Sequence, residues 1–367
     1  MQKHTQGLSS FQVTVLVSLG AIGVAVLYVP QTAAKNAGID SPFIMLAAGI
    51  IAMFFTGIII ILGNRFPNMT MIEYSRVILG KYLGWLFGAV FVLYTLITTA
   101  YITRVFGDAM KVLLLPRTPL EIVMISMLLL CAYCIHGGIS TIAKVCEIFL
   151  LPVIAVIGTT IVFNLQDVQM FRFREMFSNG IKPLITSLPV IFVAYLGFEI
   201  LYFILPFLKT REKSLLYGMA GLILPIFVYT GLVFIAVGTS GDTIALLVYP
   251  TIHLARRIGS AISFIERFDI FFITFWILAV FTTLVIFIYM SVLSATRLLN
   301  LRNYKPFLFI LLPVYYIIAI IPQNIAQIEF LGQFATYGGI FVVSSSIPLL
   351  VISIIRKKGG RNNVQKN

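Results

Sequence analysis

The feature that most constrains this chain is a succession of long, uninterrupted apolar runs, of which Ile58-Ile59-Ile60-Ile61-Leu62 is typical. The strands of an outer-membrane barrel alternate apolar and polar residues, and these runs do not. A helix crosses the hydrocarbon core with ~20 apolar residues, and it satisfies its backbone groups internally, as lipid demands. Of 367 residues, 60% are hydrophobic and 11% charged, whereas ordinary domains carry roughly 25% charged residues. That is enough apolar sequence for about ten spans and leaves little for a separate soluble domain. The sequence therefore predicts an all-α polytopic membrane protein with a single transmembrane domain over residues 1–367.

The spans are predicted at about 11–34, 42–62, 84–105, 119–137, 142–165, 183–207, 215–238, 265–293, 306–322 and 335–355, followed by a basic tail at 356–367. They divide into two five-helix halves, about 11–165 and 183–355. An odd number of spans per half gives the halves opposite orientation. A net charge of +13 would suggest nucleic acid in a soluble protein. Here sixteen of the twenty-six Lys and Arg fall on one side of the predicted topology, among them Lys3, Arg65, Arg76, Lys81, Lys209, Arg211, Lys213, Arg297, Arg302 and Lys305. By the positive-inside rule both termini are then cytoplasmic, the partner is a lipid bilayer, and no nucleic-acid partner is expected. The apolar run after Ser10 has no A-x-A cleavage site, so no removable signal peptide is predicted.

Spans one and six carry helix breakers inside the membrane. Span one reads Ser18-Leu19-Gly20-Ala21-Ile22-Gly23 and reaches Pro30. Span six runs from Pro183 and Pro189 through Tyr195-Leu196-Gly197-Phe198-Glu199 to Pro206. Interrupted spans at corresponding positions of two halves are the best sequence pointer to a transporter's binding site. A break frees backbone N–H and C=O groups that lipid cannot satisfy. The N–H groups suit a carboxylate and the carbonyls an ammonium. The other reading of these glycines is close helix packing alone.

Intramembrane polar residues extend the candidate list. Glu199 is a carboxylate at mid-span, costly unless paired, protonated or wet, with Tyr195 one turn earlier. It is read either as a ligand-site or proton-coupling group or as a protonated hydrogen-bonding carboxyl. Lys144 could pair with Glu147 three residues on and act as a proton-coupling or ion-site substitute beside the span-one break, or snorkel at the boundary. Span three carries Tyr94, Thr98 and Tyr101 on one face, and span eight carries Trp276, Thr282 and Thr283. The candidate ligand-binding set is therefore Gly20, Ile22, Gly23, Val24, Ala25, Tyr94, Thr98, Tyr195, Gly197, Glu199 and Trp276. Residues 65–83 suit a short interfacial helix. Residues 239–264 suit one or two short helices forming a lid, with Tyr249 and Pro250 over the cavity. The alternative for this segment is a passive surface loop. Arg267, paired with Glu266, Asp269 or Asp242, would anchor the lid.

Catalysis, metals and cofactors are not expected. Cys131-Ala-Tyr-Cys134 has redox spacing but lies in a continuous apolar helix, short of the four ligands of a structural zinc site. No Walker loop, HExxH or Gly-x-Ser-x-Gly occurs.

Five segments in order resemble the B subunit of spore germinant receptors, the spore germination permease family of the amino acid/polyamine/organocation superfamily. They are Gly23-Val24-Ala25-Val26-Leu27-Tyr28-Val29-Pro30, Gly137-Gly138-Ile139-Ser140-Thr141-Ile142-Ala143-Lys144, Gly197-Phe198-Glu199-Ile200, Tyr249-Pro250-Thr251-Ile252 and Ile265-Glu266-Arg267-Phe268-Asp269. The chain departs from the family at Ala25, usually glycine, and at Gln31, usually arginine. The resemblance implies two inverted five-helix repeats with discontinuous spans one and six. It also implies a small germinant, often an amino acid, bound between those spans, with an A subunit and a lipoprotein C subunit as partners in a spore inner membrane. Two other functions stay open at this point: a proton-coupled amino acid permease in the cell membrane, and an ion-conducting or scaffolding subunit with no ligand of its own.

Overall fold

The computed structural model describes residues 7–178, 180–261 and 267–359. Lys3, Ile265, Glu266 and the tail from residue 360 lie outside the described residues, as does the side chain of Asp242. Among the described residues the helices are α1 Ser10–Ala21, α2 Ala25–Ala37, α3 Ser41–Arg65, α4 Met71–Leu79, α5 Lys81–Leu113, α6 Leu120–His136, α7 Ile139–Asn164, α8 Ile181–Phe192, α9 Leu201–Ile204, α10 Ser214–Ser240, α11 Pro250–Ala261, α12 Phe268–Leu298, α13 Lys305–Ile320, α14 Ile325–Ser344 and α15 Ser346–Ile355. Short 3-10 turns join several of them.

Six described stretches are long and apolar enough to cross a membrane, from Ala25–Arg65 to Ile325–Ile355. A pair bent by 57°, Leu184–Tyr195 and Phe198–Phe207, adds another, and α1, α6 and α13 are shorter apolar helices. Ala25–Arg65 has 41 residues, about twice the length one crossing needs. It turns at Gly38, whose φ of 54° suits only a residue without a Cβ. Span one is therefore α1 with α2, span two is α3, span six is α8 with α9, and span ten is α14 with α15. That gives the ten-span, discontinuous architecture that the sequence predicts.

Both described ends of the chain lie at one face of the bundle. Leu8 forms a β-bridge with Leu208, its N–H donating to Phe207 O at 2.9 Å. Arg356 donates to Ile78 O at 2.8 Å, and Arg76 to Leu298 O at 2.6 Å. The 65–83 connection holds α4, whose capping box uses Thr70 and Glu73. One side of α4, with Ile72, Tyr74 and Ile78, is buried.

Proline defects are repaired across helices. Pro30 lacks the N–H that would bond Val26 O four residues back. The Thr251 hydroxyl of α11 donates to that carbonyl at 2.6 Å. Pro225 likewise frees Gly221 O, to which Ser18 donates at 2.7 Å. These two bonds fix α2 against α11 and α1 against α10, at the cost of about one hydrogen bond each if lost.

Two boundaries differ from the sequence reading. α5 continues past residue 105 because Arg104 and Asp108 pair across one turn at 2.9 Å, which lowers the cost of carrying both. α14 starts at Ile325, well before residue 335, where its polar first turns are capped by Asn324 accepting from Gln327 N at 2.9 Å.

Candidate functional site

The two breaks meet in the middle of the bundle. α1 ends at Ala21 and α2 begins at Ala25. Opposite this gap Gly197 has φ 127°, a conformation that L side chains rarely adopt. A Cβ at Gly20 would lie 2.9 Å from Gly197 O, and one at Gly197 would overlap the Gly20 carbonyl and lie 2.8 Å from Ala21 N. Backbone touches backbone here, and only glycine permits it.

Most of the freed backbone groups are bonded within the protein. The Thr283 hydroxyl reaches Leu19 O at 2.9 Å and Ile22 O at 3.2 Å. Tyr229 donates to Ala21 O at 2.7 Å. Gly197 N–H donates to Glu199 Oε2 at 2.7 Å, and the Tyr94 hydroxyl donates to Glu199 Oε1. The Glu199 carboxyl is fully buried, with both oxygens engaged. It pins the span-six break to span three.

A cavity of about 480 Å³ opens along the breaks, within the usual range for small-molecule sites. Its walls come from α1 and α2 (Gly20, Ala21, Gly23, Val24, Ala25, Tyr28), α5 (Thr98, Tyr101, Ile102), α8 and the turn after it (Ile191, Val193, Ala194, Leu196), α12 (Thr283, Phe287) and α14 (Glu329, Gly332, Gln333, Ala335, Thr336). Thr32 and Asn36 of α2 line its outer part. The α2 N-terminus at Val24 has no side-chain cap; Val26 and Leu27 N–H donate to Gly23 O and Val24 O at 3.3 and 3.2 Å, which leaves the N–H groups of Val24 and Ala25 for a ligand or water. The Thr98 hydroxyl is buried without a partner.

Of the residues singled out from the sequence, Gly20, Gly23, Val24, Ala25 and Thr98 line this cavity. Ile22, Tyr94, Tyr195, Gly197 and Glu199 are buried behind its wall. Tyr195 donates to Met45 O at 2.9 Å and meets the Tyr229 ring edge-on at 5.6 Å. Trp276 is buried against Phe106, centroids 6.0 Å apart, outside the lining. Lys144 is exposed on α7, and Glu147 instead accepts from Gln12 Nε2 at 3.4 Å.

The lid segment folds as a 3-10 turn and α11. Tyr249, Pro250 and Arg267 are not among the residues lining the cavity. The segment packs on α2, α7 and α12, with Leu254 O accepting from Asn164 at 3.2 Å. Arg267 and Arg256 both reach Asp269, at 3.4 and 3.2 Å. Burial, followed by the charges of Arg257 and Arg256, holds the His253 imidazole below its ordinary pKa.

Sequence reasoning left Thr283, Tyr28 and the α14 residues out of the site. For α14 the signal was present: Glu329, Gly332, Gln333 and Thr336 follow helical spacing on one face.

The family described as "Spore germination protein" matches residues 7–328. This chain belongs to that family. The chain is 25% identical over 360 residues to spore germination protein A2 of Bacillus subtilis (strain 168), covering 97% of this chain and 98% of the relative. It is 27% identical over 365 residues to spore germination protein YndE of the same organism, covering 98% and 99%. It is 24% identical over 369 residues to spore germination protein B2, covering both chains fully. Among solved structures, MhsT in complex with L-phenylalanine superposes with a TM-score of 0.67 at 14% identity, covering 94% of this chain and 88% of that one. The likeness shows the transporter fold with discontinuous spans one and six.

Proposed function

We propose that this chain is the ligand-recognising B-type subunit of a spore germinant receptor, and that a small germinant of the amino acid class binds in the cavity along the two breaks. The observation that carries this is the cavity itself, walled by the uncapped α2 N-terminus and the unpartnered Thr98 hydroxyl. A carboxylate fits the α2 N-terminus, where N–H groups and the helix dipole favour negative charge. The freed carbonyls of Leu19, Ile22 and Ala21 each already accept one bond, from Thr283 or Tyr229, and a carbonyl has a second lone pair that an α-ammonium can use. Tyr94, Glu199 and Tyr195 act from behind the wall as positioning residues that hold the span-six break in place.

The ligand would touch both breaks and so bias how the two repeats sit against each other. In this reading that shift is passed to an A subunit and a lipoprotein C subunit in the spore inner membrane, with both termini of the chain cytoplasmic. The test pairs two measurements on purified protein: equilibrium binding of amino acids in nanodiscs, and accumulation of the bound one in vesicles. Binding without accumulation is the expected result. Accumulation driven by a pH gradient would favour a proton-coupled permease, and no binding at all would leave a scaffold.

A further inference from the structure

We propose that Glu329 makes the cavity selective for germinants bearing a cationic group at the end distal to their carboxylate, such as amino acids with an amine or guanidine side chain. The inference rests on the preceding reading that the cavity holds the ligand, and it assigns the substrate class. Among the residues lining the cavity Glu329 is the one charged side chain. It is exposed, so it stands at the open end. None of the ion pairs among the described residues includes it. No lining side chain carries a positive charge to neutralise it.

The depth of this carboxylate follows from how α14 runs along α5. A Cβ at Gly338 or Gly339 would meet the Tyr94 ring, and one at Gly332 the Tyr101 ring. The two helices are therefore antiparallel, and Thr98 lies level with Ala335 and Thr336. Glu329 is two turns further toward the open end, about 10 Å along the axis from Thr336. A ligand whose carboxylate lies at the α2 N-terminus, near Thr98, would extend an unbranched side chain past Gln333 toward Glu329. The walls beside that path are largely apolar, with Ile102, Val29, Ala33 and Val190, which suits a methylene stem ending in a charge. A carboxylate at the same end of the ligand would face Glu329 with no counter-charge.

Norleucine and lysine test this directly, because they share one straight carbon chain and lysine adds only the terminal ammonium. Their affinities for the full-length protein in nanodiscs would be measured on wild type, Glu329→Gln and Glu121→Gln. The last removes an equal charge at an exposed position outside the cavity lining. The expected result is that the lysine-to-norleucine affinity ratio falls about tenfold in Glu329→Gln and holds in Glu121→Gln. An unchanged ratio in Glu329→Gln, or an equal fall in both variants, overturns the inference. Under that outcome the binding reading still stands if norleucine or lysine binds wild type and is lost when Ala25→Phe fills the cavity. If neither ligand binds wild type, both the inference and the binding reading fail.

Discussion

Gly20 and Gly197 touch through their backbones, and this contact makes one site out of two helix breaks that lie far apart in the sequence. Gly197 also holds a φ of 127°, so a side chain there meets both torsional strain and the Gly20 carbonyl. Gly197→Ala should therefore lose well over the ~1–2 kcal/mol of a left-handed residue alone, because the clash is with backbone and cannot relax by a rotamer change. Gly158, whose added Cβ would meet nothing within 4 Å, is the control. Yield of monodisperse protein and thermal unfolding check this: Gly158→Ala should behave as wild type, and Gly197→Ala should not.

Thr283 holds the other side of the junction. Thr283→Val keeps the shape but strips the hydroxyl from Leu19 O and Ile22 O, leaving buried carbonyls unsatisfied at a cost of about 1–3 kcal/mol. Thr283→Ser keeps the hydroxyl and should recover most of that loss. Thermal unfolding of the three proteins in one detergent separates them. Equal loss in Ser and Val would mean that the methyl packing matters and the hydrogen bonds do not.

Glu199 accepts from Gly197 N–H and from Tyr94. A glutamine can still accept from Gly197 and donate to a Tyr94 hydroxyl that has turned, so Glu199→Gln should keep ligand affinity within about threefold. Glu199→Ala frees both donors in a buried site, about 1–3 kcal/mol each, and should abolish binding. If Gln fails as completely as Ala while both proteins fold, the carboxylate's charge is required and its role goes beyond positioning.

The Pro30–Thr251 pair offers a double-mutant cycle. Thr251→Val should cost about 1–2 kcal/mol because Val26 O loses its donor. In a Pro30→Ala background the helix supplies its own N–H to that carbonyl, so the same substitution should cost close to nothing. Additive losses measured by unfolding would show that Thr251 stabilises the outer segment by another route.

The architecture was legible because its signals are local and strong. Apolar runs mark spans, and Gly20, Gly23 and Gly197 mark breaks that lipid would not tolerate without a purpose. What a sequence cannot supply is which polar group meets which. Glu199 at mid-span invites a ligand or proton role, yet its oxygens are taken by Gly197 and Tyr94, residues whose approach depends on the packing of span three against span six. The freed carbonyls at Leu19, Ala21 and Ile22 were foreseeable, but the hydroxyls that cap them come from Thr283 and Tyr229, far along the chain. The sequence reads residues 239–264 as short helices with Tyr249 and Pro250 over the cavity; the neighbouring Thr251 instead bonds Val26 O. The polar face of α14 was cut off because Glu329 and Gln333 lower the local hydropathy at the very place where they line the cavity.

The proposed function requires that an amino acid bind in the cavity along the two breaks. Calorimetric titration of the purified protein in nanodiscs with each of the common amino acids, repeated on Ala25→Phe, measures this binding. Ala25 lines the cavity at the start of α2 and is only partly buried, so a larger side chain there should fill space with little effect on unfolding. Saturable binding of at least one amino acid at one per chain is expected, lost in Ala25→Phe at unchanged thermal stability. Binding that persists at full affinity in the filled variant, or no binding of any amino acid to the intact protein, would contradict it.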